Sequence, residues 1–280
     1  MSVLVLDGYN MIHRCRFDWG QKGVTPLGES KVIYNFFRLL RSTVASFPCN
    51  KVYFVTEGVP SHRLAIDTEY KANRVKKDLS PEEVEYWDSF SFQKNFIISL
   101  MKDCFPIEVV RHPMYEADDV IYTLIKSIHP DEDLVIVSSD TDFIQILNEF
   151  PGRVQVWNPL AKSYRENTPY DYVSWKSMVG DRTDNIQGVP RVGKKTASKI
   201  LNSPGELASR LKDPDFKRSY DTSYELIKLK NVPHSELCFS GSHTEWGVVK
   251  KSFNDLSFKF SFDETSWEEY KNTFDCLGII

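Results

Sequence analysis

Carboxylates recur along the first two-thirds of this chain at places where they could act together. Asp7 follows a short apolar run, in Asp7-Gly8-Tyr9-Asn10, and Glu57 follows a second. Glu116, Asp118 and Asp119 come after a third run, and Asp140 and Asp142 after a fourth, in Ser138-Ser139-Asp140-Thr141-Asp142. Asp181 and Asp184 stand further on, in Gly180-Asp181-Arg182-Thr183-Asp184-Asn185. Clustered acids stay ionised together only beside cations. Oxygen ligands with no His or Cys among them suit hard ions such as Mg²⁺ or Mn²⁺. Two such ions about 3.5–4 Å apart are the usual means of hydrolysing a phosphodiester. An acid after a strand is also a common helix N-cap, and acids in a first turn complement the helix dipole. That simpler role fits Asp118 or Asp142 taken singly, and a turn role fits Asp7 beside Gly8. It does not account well for acids at four successive strand ends.

Strands must carry these acids. The runs Val3–Leu6, Lys51–Thr56, Glu108–Val110, Leu134–Val137 and Val154–Val156 are mostly unbroken and apolar, as in strands buried on both faces. Helical periodicity over Ser30–Phe47, Ala117–Ile128 and Phe143–Asn148 alternates with them, giving the βαβ rhythm of a parallel α/β sheet. Ligands bind at the carboxyl edge of such a sheet, so four strands would deliver acids to one crevice. Between the second and third strands, Pro60–Lys102 far exceeds an ordinary crossover and is expected to be functional or flexible. Its Tyr86, Trp87, Phe90, Phe92 and Phe96 fit the packing face of an amphipathic helix better than a set of base-stacking platforms. Tyr170 to Leu211 reads as helical, punctuated by Gly180, Gly188, Pro190 and Gly193; Asp213–Ile280 is mixed and aromatic-rich, with no role assigned.

The 280 residues suffice for two small domains or one large domain with an appendage. With 41% hydrophobic and 26% charged residues, the composition is that of an ordinary globular protein and excludes a disordered or collagenous chain. No apolar run approaches the roughly 20 residues that span a bilayer, and the first residues lack the basic lead-in of a signal peptide. Cys15, Cys49, Cys104, Cys238 and Cys276 are scattered with no CxxC pair, which points to a reducing compartment. The histidines fall at no zinc-binding spacing. A net charge of −4 argues at first sight against nucleic acid, but setting aside the nine acids named above turns it into +5. Basic residues concentrate in Arg63–Lys77 (Arg63, Lys71, Arg74, Lys76, Lys77) and Arg191–Lys199 (Arg191, Lys194, Lys195, Lys199). Flanking an acidic crevice, such clusters are the footprint of phosphate binding.

Taken in order, Leu6–Asn10, Glu116–Asp119, Ser139–Asp142, Gly180–Val189, Gly193–Ala197, Arg63 and Tyr70–Arg74 form a specific set. By these motifs the chain resembles the 5′-nuclease or flap endonuclease family, which includes stand-alone phage enzymes and the 5′-nuclease domain of bacterial DNA polymerase I. The resemblance spans residues 3 to about 201 and stops before the tail. Two departures stand out: Glu57 where the family usually has Asp, and Pro190-Arg191 where a second flexible glycine often occurs. Neither removes a needed chemical group.

The resemblance implies an α/β fold with a PIN-like, mostly parallel sheet and flanking helices, a helical arch at about 60–102, and a helix-three-turn-helix (helix-hairpin-helix) module. The corresponding division is a nuclease domain over 1–168 and a C-terminal domain over 169–280. It implies hydrolysis of phosphodiesters near single-strand/duplex junctions in branched or 5′-ended DNA, as in flap or RNA-primer removal. Water would attack phosphorus to leave 3′-hydroxyl and 5′-phosphate ends. Asp7, Glu57 and Asp118 would hold a first ion, and Asp118, Asp140, Asp142 and Asp181 a second. Glu116, Asp119 and Asp184 would serve mostly through water. Lys71 and Arg74 would contact the scissile phosphate and Arg63 would steer the strand, while Gly188, Gly193, Lys194, Lys195 and Thr196 would bind duplex backbone, with K⁺ at the 188–193 hairpin. A stand-alone monomer in the cytoplasm of a bacterial or phage-infected cell follows by the same resemblance, with RNA–DNA hybrids and replication proteins as further partners. The rival readings are a PIN-type ribonuclease, disfavoured by segments 60–102 and 180–201, and a non-catalytic DNA-binding protein, disfavoured because every acidic position is filled.

Overall fold

Valine, leucine, isoleucine and aromatic side chains fill both faces of β1 (Ser2–Asp7), β2 (Cys49–Val55), β3 (Glu108–Arg111) and β4 (Leu134–Val137). These strands belong to a computed structural model that describes residues 2–17, 30–74, 78–241, 243–258, 261 and 263–277. With β5 (Val154–Asn158), β6 (Ser163–Tyr164) and β7 (Cys238–Gly241) they form a sheet of order β6-β5-β4-β1-β2-β3-β7. Its five central strands run parallel, and β6 and β7 are antiparallel edges. The order places β4, β1, β2 and β3 side by side, so the four acid-bearing strand ends line one stretch of the sheet's carboxyl edge.

Short helices α1 (Gly8–Arg14), α3 (Ser61–Ile66) and α6 (Ile144–Glu149) follow β1, β2 and β4. Successive side chains along a strand point to opposite faces, and the two cores divide accordingly. Leu4, Leu6 and Phe54 face α2 (Lys31–Ser46) and α4 (Pro81–Cys104), while Val3, Val5 and Ile136 face α5 (Ala117–Thr123) and the π-helical turn Leu124–Ile128 that continues it. On α2, Val32, Ile33, Phe36, Phe37, Leu40 and Val44 make one buried stripe at helical spacing. The start of α4 is fixed by a capping box: Ser80 accepts from Glu83 N–H, the Glu83 carboxylate accepts from Ser80 N–H, and Pro81 occupies the first turn.

Beyond β6 the chain builds α7 (Tyr172–Val179), α8 (Lys194–Asn202), α9 (Glu206–Arg210) and α10 (Pro214–Ile227), around a small core of Met178, Val189, Ala197, Ile200 and Tyr220. The tail then returns to the sheet. β7 pairs with β3, and α11 (Trp246–Asp255), α12 (Glu264–Asn272) and the turn after α12 press Phe253, Trp267, Tyr270 and Phe274 into the α2/α4 core. Phe253 lies 5.0 Å from Phe37 and Phe274 5.5 Å from Phe105, centroid to centroid. The aromatic-rich segment left without a role in the sequence therefore closes one face of the first core. No described helix is long and apolar enough to cross a membrane.

Candidate metal centre and nucleic-acid interface

Side-chain hydrogen bonds tie the ends of β1 and β4 together. Asp7 accepts from Asn10 N–H at 3.1 Å and from the Ser138 hydroxyl at 2.7 Å. Asn10 in turn donates to Ser139 Oγ at 2.9 Å, Asp140 N–H reaches Ser138 Oγ at 3.0 Å, and Asp142 N–H reaches Asp140 Oδ1 at 2.8 Å. The two sequence motifs thus fold as one unit that sets Asp7 and Asp140 side by side. Glu57, after β2, accepts from Ala117 N–H at 3.0 Å at the first turn of α5, from which Asp118 projects.

Asp7, Glu57, Asp118 and Asp140 form an inner group, and among the described residues none of the four makes an ion pair. Burial pushes the Asp7 carboxyl up to about 7, with Glu57 and Asp140 adding repulsion. Burial also raises Asp118 well above the usual range, aided by Asp140, Asp7 and Glu57, and it raises Glu57. Acids whose ionisation is opposed by burial and by acidic neighbours, with only oxygen donors among them, fit a hard divalent cation.

The outer acids differ, because each already has a basic partner. Glu116 and Asp184 contact Lys71 and Arg74 respectively, and Lys71 Nζ also lies 3.7 Å from Asp184. Tyr70 donates to Glu116 at 2.9 Å. Asp142 and Asp181 share Lys176, whose Nζ contacts the first and lies 2.7 Å from the second. Although burial opposes ionisation at Asp181, Lys176 and the Thr183 bonds bring its carboxyl down to about 2. At Asp142 burial outweighs Lys176 and the carboxyl stays up at about 6. Asp142, Asp181 and Asp184 offer oxygens within 4.8 Å of one another.

Two expectations need correction. Arg63, placed on the DNA path by resemblance, is only 3% exposed. It donates to Glu116 at 2.7 Å, to Asp119 at 2.5 and 3.0 Å, and to the Leu226 carbonyl at 2.8 Å. Asp119, placed among the metal ligands, is fully buried and consumed by Arg63 and by Lys230 N–H at 2.8 Å. Five donors on a planar fork explain why an arginine rather than a lysine satisfies so many interior acceptors.

The basic segment after Arg63 also differs in form. Lys71 has φ 57°, outside any helix, and a 3₁₀ turn Ala72–Arg74 follows, so the two do not share an α-helix face. They converge because the segment is stapled to the Asp181–Asn185 loop: Lys71 N–H to the Asp184 carbonyl at 2.9 Å, Asn73 to Arg182 at 2.8 Å, and Asn185 to Glu69 at 2.8 Å. Lys76 and Lys77 lie outside the described residues. Of the arch aromatics, Phe90 is buried in the first core, whereas Phe92 is 64% exposed.

The hairpin between α7 and α8 needs its glycines. A Cβ on Gly188 (φ 69°) would come 2.5 Å from Gly180 N, so the two glycines touch backbone to backbone. Arg191, in the Pro190-Arg191 pair noted as a departure in the sequence, has φ 66°, a left-handed backbone. Gly193 leads into α8, and Lys194, Lys195 and Thr196 are exposed at its first turn.

Raised carboxyls have a stability consequence. Their folded-state affinity for protons exceeds that of the unfolded chain, so their contribution is complete below the ordinary carboxylate range and is lost as pH rises through about 6 at Asp142 and about 7 at Asp7. Asp181 has the opposite sign but changes only as pH falls through about 2. Scanning calorimetry of the protein in EDTA should therefore show a lower melting temperature at about pH 7.5 than at about pH 5, with Mg²⁺ restoring it at the higher pH. Equal melting temperatures with and without Mg²⁺ at the higher pH would contradict this account of the inner acids.

Residues 2–177 match the family model described as 5′-3′ exonuclease, N-terminal resolvase-like domain. The chain belongs to the 5′-3′ exonuclease family. Residues 167–232 match that family's C-terminal SAM-fold model. The thermostable DNA polymerase I of Thermus thermophilus is 31% identical over 226 residues, covering 76% of this chain and 25% of the polymerase. The chain thus spans about a quarter of that relative's length. The 5′-3′ exonuclease of Aquifex aeolicus is 26% identical over 283 residues, covering 92% of this chain and 90% of the relative. A bacteriophage T5 flap endonuclease, solved as a pseudo-enzyme-product complex with DNA and metal ions, has the same fold: TM-score 0.67 at 16% identity, covering 99% of each chain. The mostly parallel sheet and flanking helices expected from the sequence are those of this 5′-3′ exonuclease fold.

Lys176 belongs to none of the sequence motifs, and Tyr70 and Ser138 lie within motifs that gave them no role. Lys176 left a faint signal, a lone cation among the apolar and aromatic residues of Tyr172–Val179.

Proposed function

We propose that this chain is a structure-specific 5′-nuclease that hydrolyses DNA phosphodiesters near single-strand/duplex junctions, with flaps or RNA primers as its substrates. The observation that carries this reading is the inner group of Asp7, Glu57, Asp118 and Asp140, four acids at the carboxyl edge of four adjacent strands that make no ion pair among the described residues. They would hold a first divalent ion, Mg²⁺ or Mn²⁺, and Asp140, Asp142, Asp181 and Asp184 would hold a second. Bound there, the ions would supply charge neutralisation at the phosphate and a water activated at neutral pH.

The protein's own groups do the rest. Lys71 and Arg74, now turned onto Glu116 and Asp184, stand at the rim of the acids. From there they draw in the phosphate and oppose the negative charge that grows on its oxygens. Water attacks phosphorus, the 3′ oxygen leaves with a proton, and the ends are a 3′-hydroxyl and a 5′-phosphate. Arg63 and Tyr70 fix the Glu116 side chain against which Lys71 is set. Backbone N–H groups and Lys194, Lys195 and Thr196 at the start of α8 take the duplex by its phosphates and read no sequence. We divide the chain functionally into a nuclease unit, 2–168 with the returning tail from β7 onward, and a duplex-holding unit of α7 to α10. Its five free cysteines fit a reducing cytoplasm.

The duplex assignment has its own test. Lys194→Ala with Lys195→Ala should weaken binding to nicked duplex and lower the slope of log affinity against log salt by roughly 0.9 for each lost contact. Fluorescence anisotropy across a salt series reads this directly, and an unchanged slope would place the duplex elsewhere.

A further inference from the structure

α7 carries a single lysine into the acidic crevice. Lys176 is 6% exposed, contacts Asp142 and lies 2.7 Å from Asp181 Oδ2. With Asp184, these two acids are the set whose oxygens converge within 4.8 Å. The ammonium therefore sits between two carboxylates where a cation would bridge them. Resting on the two-ion reading above, we propose that Lys176 is the resident counter-ion of the second site and must be displaced before the second ion binds.

Two cations cannot share one pair of carboxylates at contact distance without strong repulsion. The cations beside Asp184 are less confined. Arg74 pairs with it through a side chain that is 55% exposed and free to withdraw into water, and Lys71, 3.7 Å away, is 20% exposed and turned onto Glu116, whereas the Lys176 side chain is 7% exposed. The consequences differ between the two sites. The inner acids repel one another, whereas Asp142 and Asp181 are drawn together by Lys176 and aimed at one point. The second site is thus shaped in advance but occupied, and its apparent affinity falls by the fraction of time the lysine has left it. The two sites would fill in a fixed order, inner before outer.

Mn²⁺ binding without DNA, followed by calorimetry and electron paramagnetic resonance, tests this in the full chain. Wild type should show one tight and one weaker ion. Lys176→Met should tighten the weaker one by about tenfold, if the lysine fills the site about nine-tenths of the time, and leave the tighter one unchanged. Lys176→Arg should keep the wild-type gap. Where Lys176→Met fails to fold in EDTA, amine labelling of wild type read by mass spectrometry gives the same answer. Lys176 should react several-fold faster in saturating Mn²⁺ than in EDTA. Two ions bound with the weaker no tighter in Lys176→Met, or labelling of Lys176 indifferent to Mn²⁺, would overturn the displacement while leaving the nuclease reading intact. A single ion in both proteins would overturn the two-ion reading and the role of Lys176 with it.

Discussion

Asp118→Asn should reduce cleavage of flap DNA by about three orders of magnitude or more, equivalent to about 4 kcal/mol of transition-state stabilisation, while the metal-free protein becomes more stable. Both effects have one cause. Burial and the neighbouring Asp140, Asp7 and Glu57 hold the Asp118 carboxyl well above its usual range. Asparagine has the shape of the neutral form without the cost of ionisation, so the fold is relieved in EDTA. The same change removes an oxygen charge from the centre of the inner group, where a divalent ion would be held. Sites that trade stability for function behave in this way. Single-turnover cleavage, DNA affinity and calorimetry in EDTA together read the effect. A variant that cleaves at the wild-type rate would remove Asp118 from the centre. A lower melting temperature in EDTA would show that its charge is compensated.

Arg63→Met should destabilise the protein by about 3–5 kcal/mol, because it leaves Asp119 and part of Glu116 as buried acids without their cation. In a chain of this size that is a fall in melting temperature of about 5–9 °C. Arg63→Met combined with Asp119→Leu should recover part of the loss, since replacing a buried pair with apolar groups is far less harmful than breaking it. Recovery stays incomplete because Lys230 N–H loses its acceptor. A single variant that melts like wild type but binds DNA more weakly would restore Arg63 to the surface role implied by the resemblance.

These two residues mark the boundary of what the sequence could disclose. Strands buried on both faces are legible as apolar runs, and an acid that ends such a run is legible with them, as at Asp7, Glu57 and Asp140. Charge partnership is not legible in this way. Asp118 and Asp119 are adjacent in sequence, yet one projects into the crevice and the other into the interior, a difference of one step around α5. Arg63 finds its partners across 53 and 56 residues, and Lys176 finds Asp142 across 34, at separations where no local spacing rule applies. The tail was opaque for a related reason. β7 joins the sheet antiparallel, far along the chain from β3, without the βαβ rhythm that announced the other strands. Tyr70, by contrast, lay in a recognised motif, but only its hydrogen bond to Glu116 gives the phenol a use.

End-labelled 5′-flap, nicked duplex and single-stranded DNA, incubated with the protein and Mg²⁺ and mapped to the nucleotide, test the central claim most directly. The account predicts cuts within a nucleotide or two of the single-strand/duplex junction, products ending in 3′-hydroxyl and 5′-phosphate, and no cleavage in EDTA. Undiminished cleavage in EDTA, or none of any of these substrates across a full Mg²⁺ and Mn²⁺ titration, would contradict it.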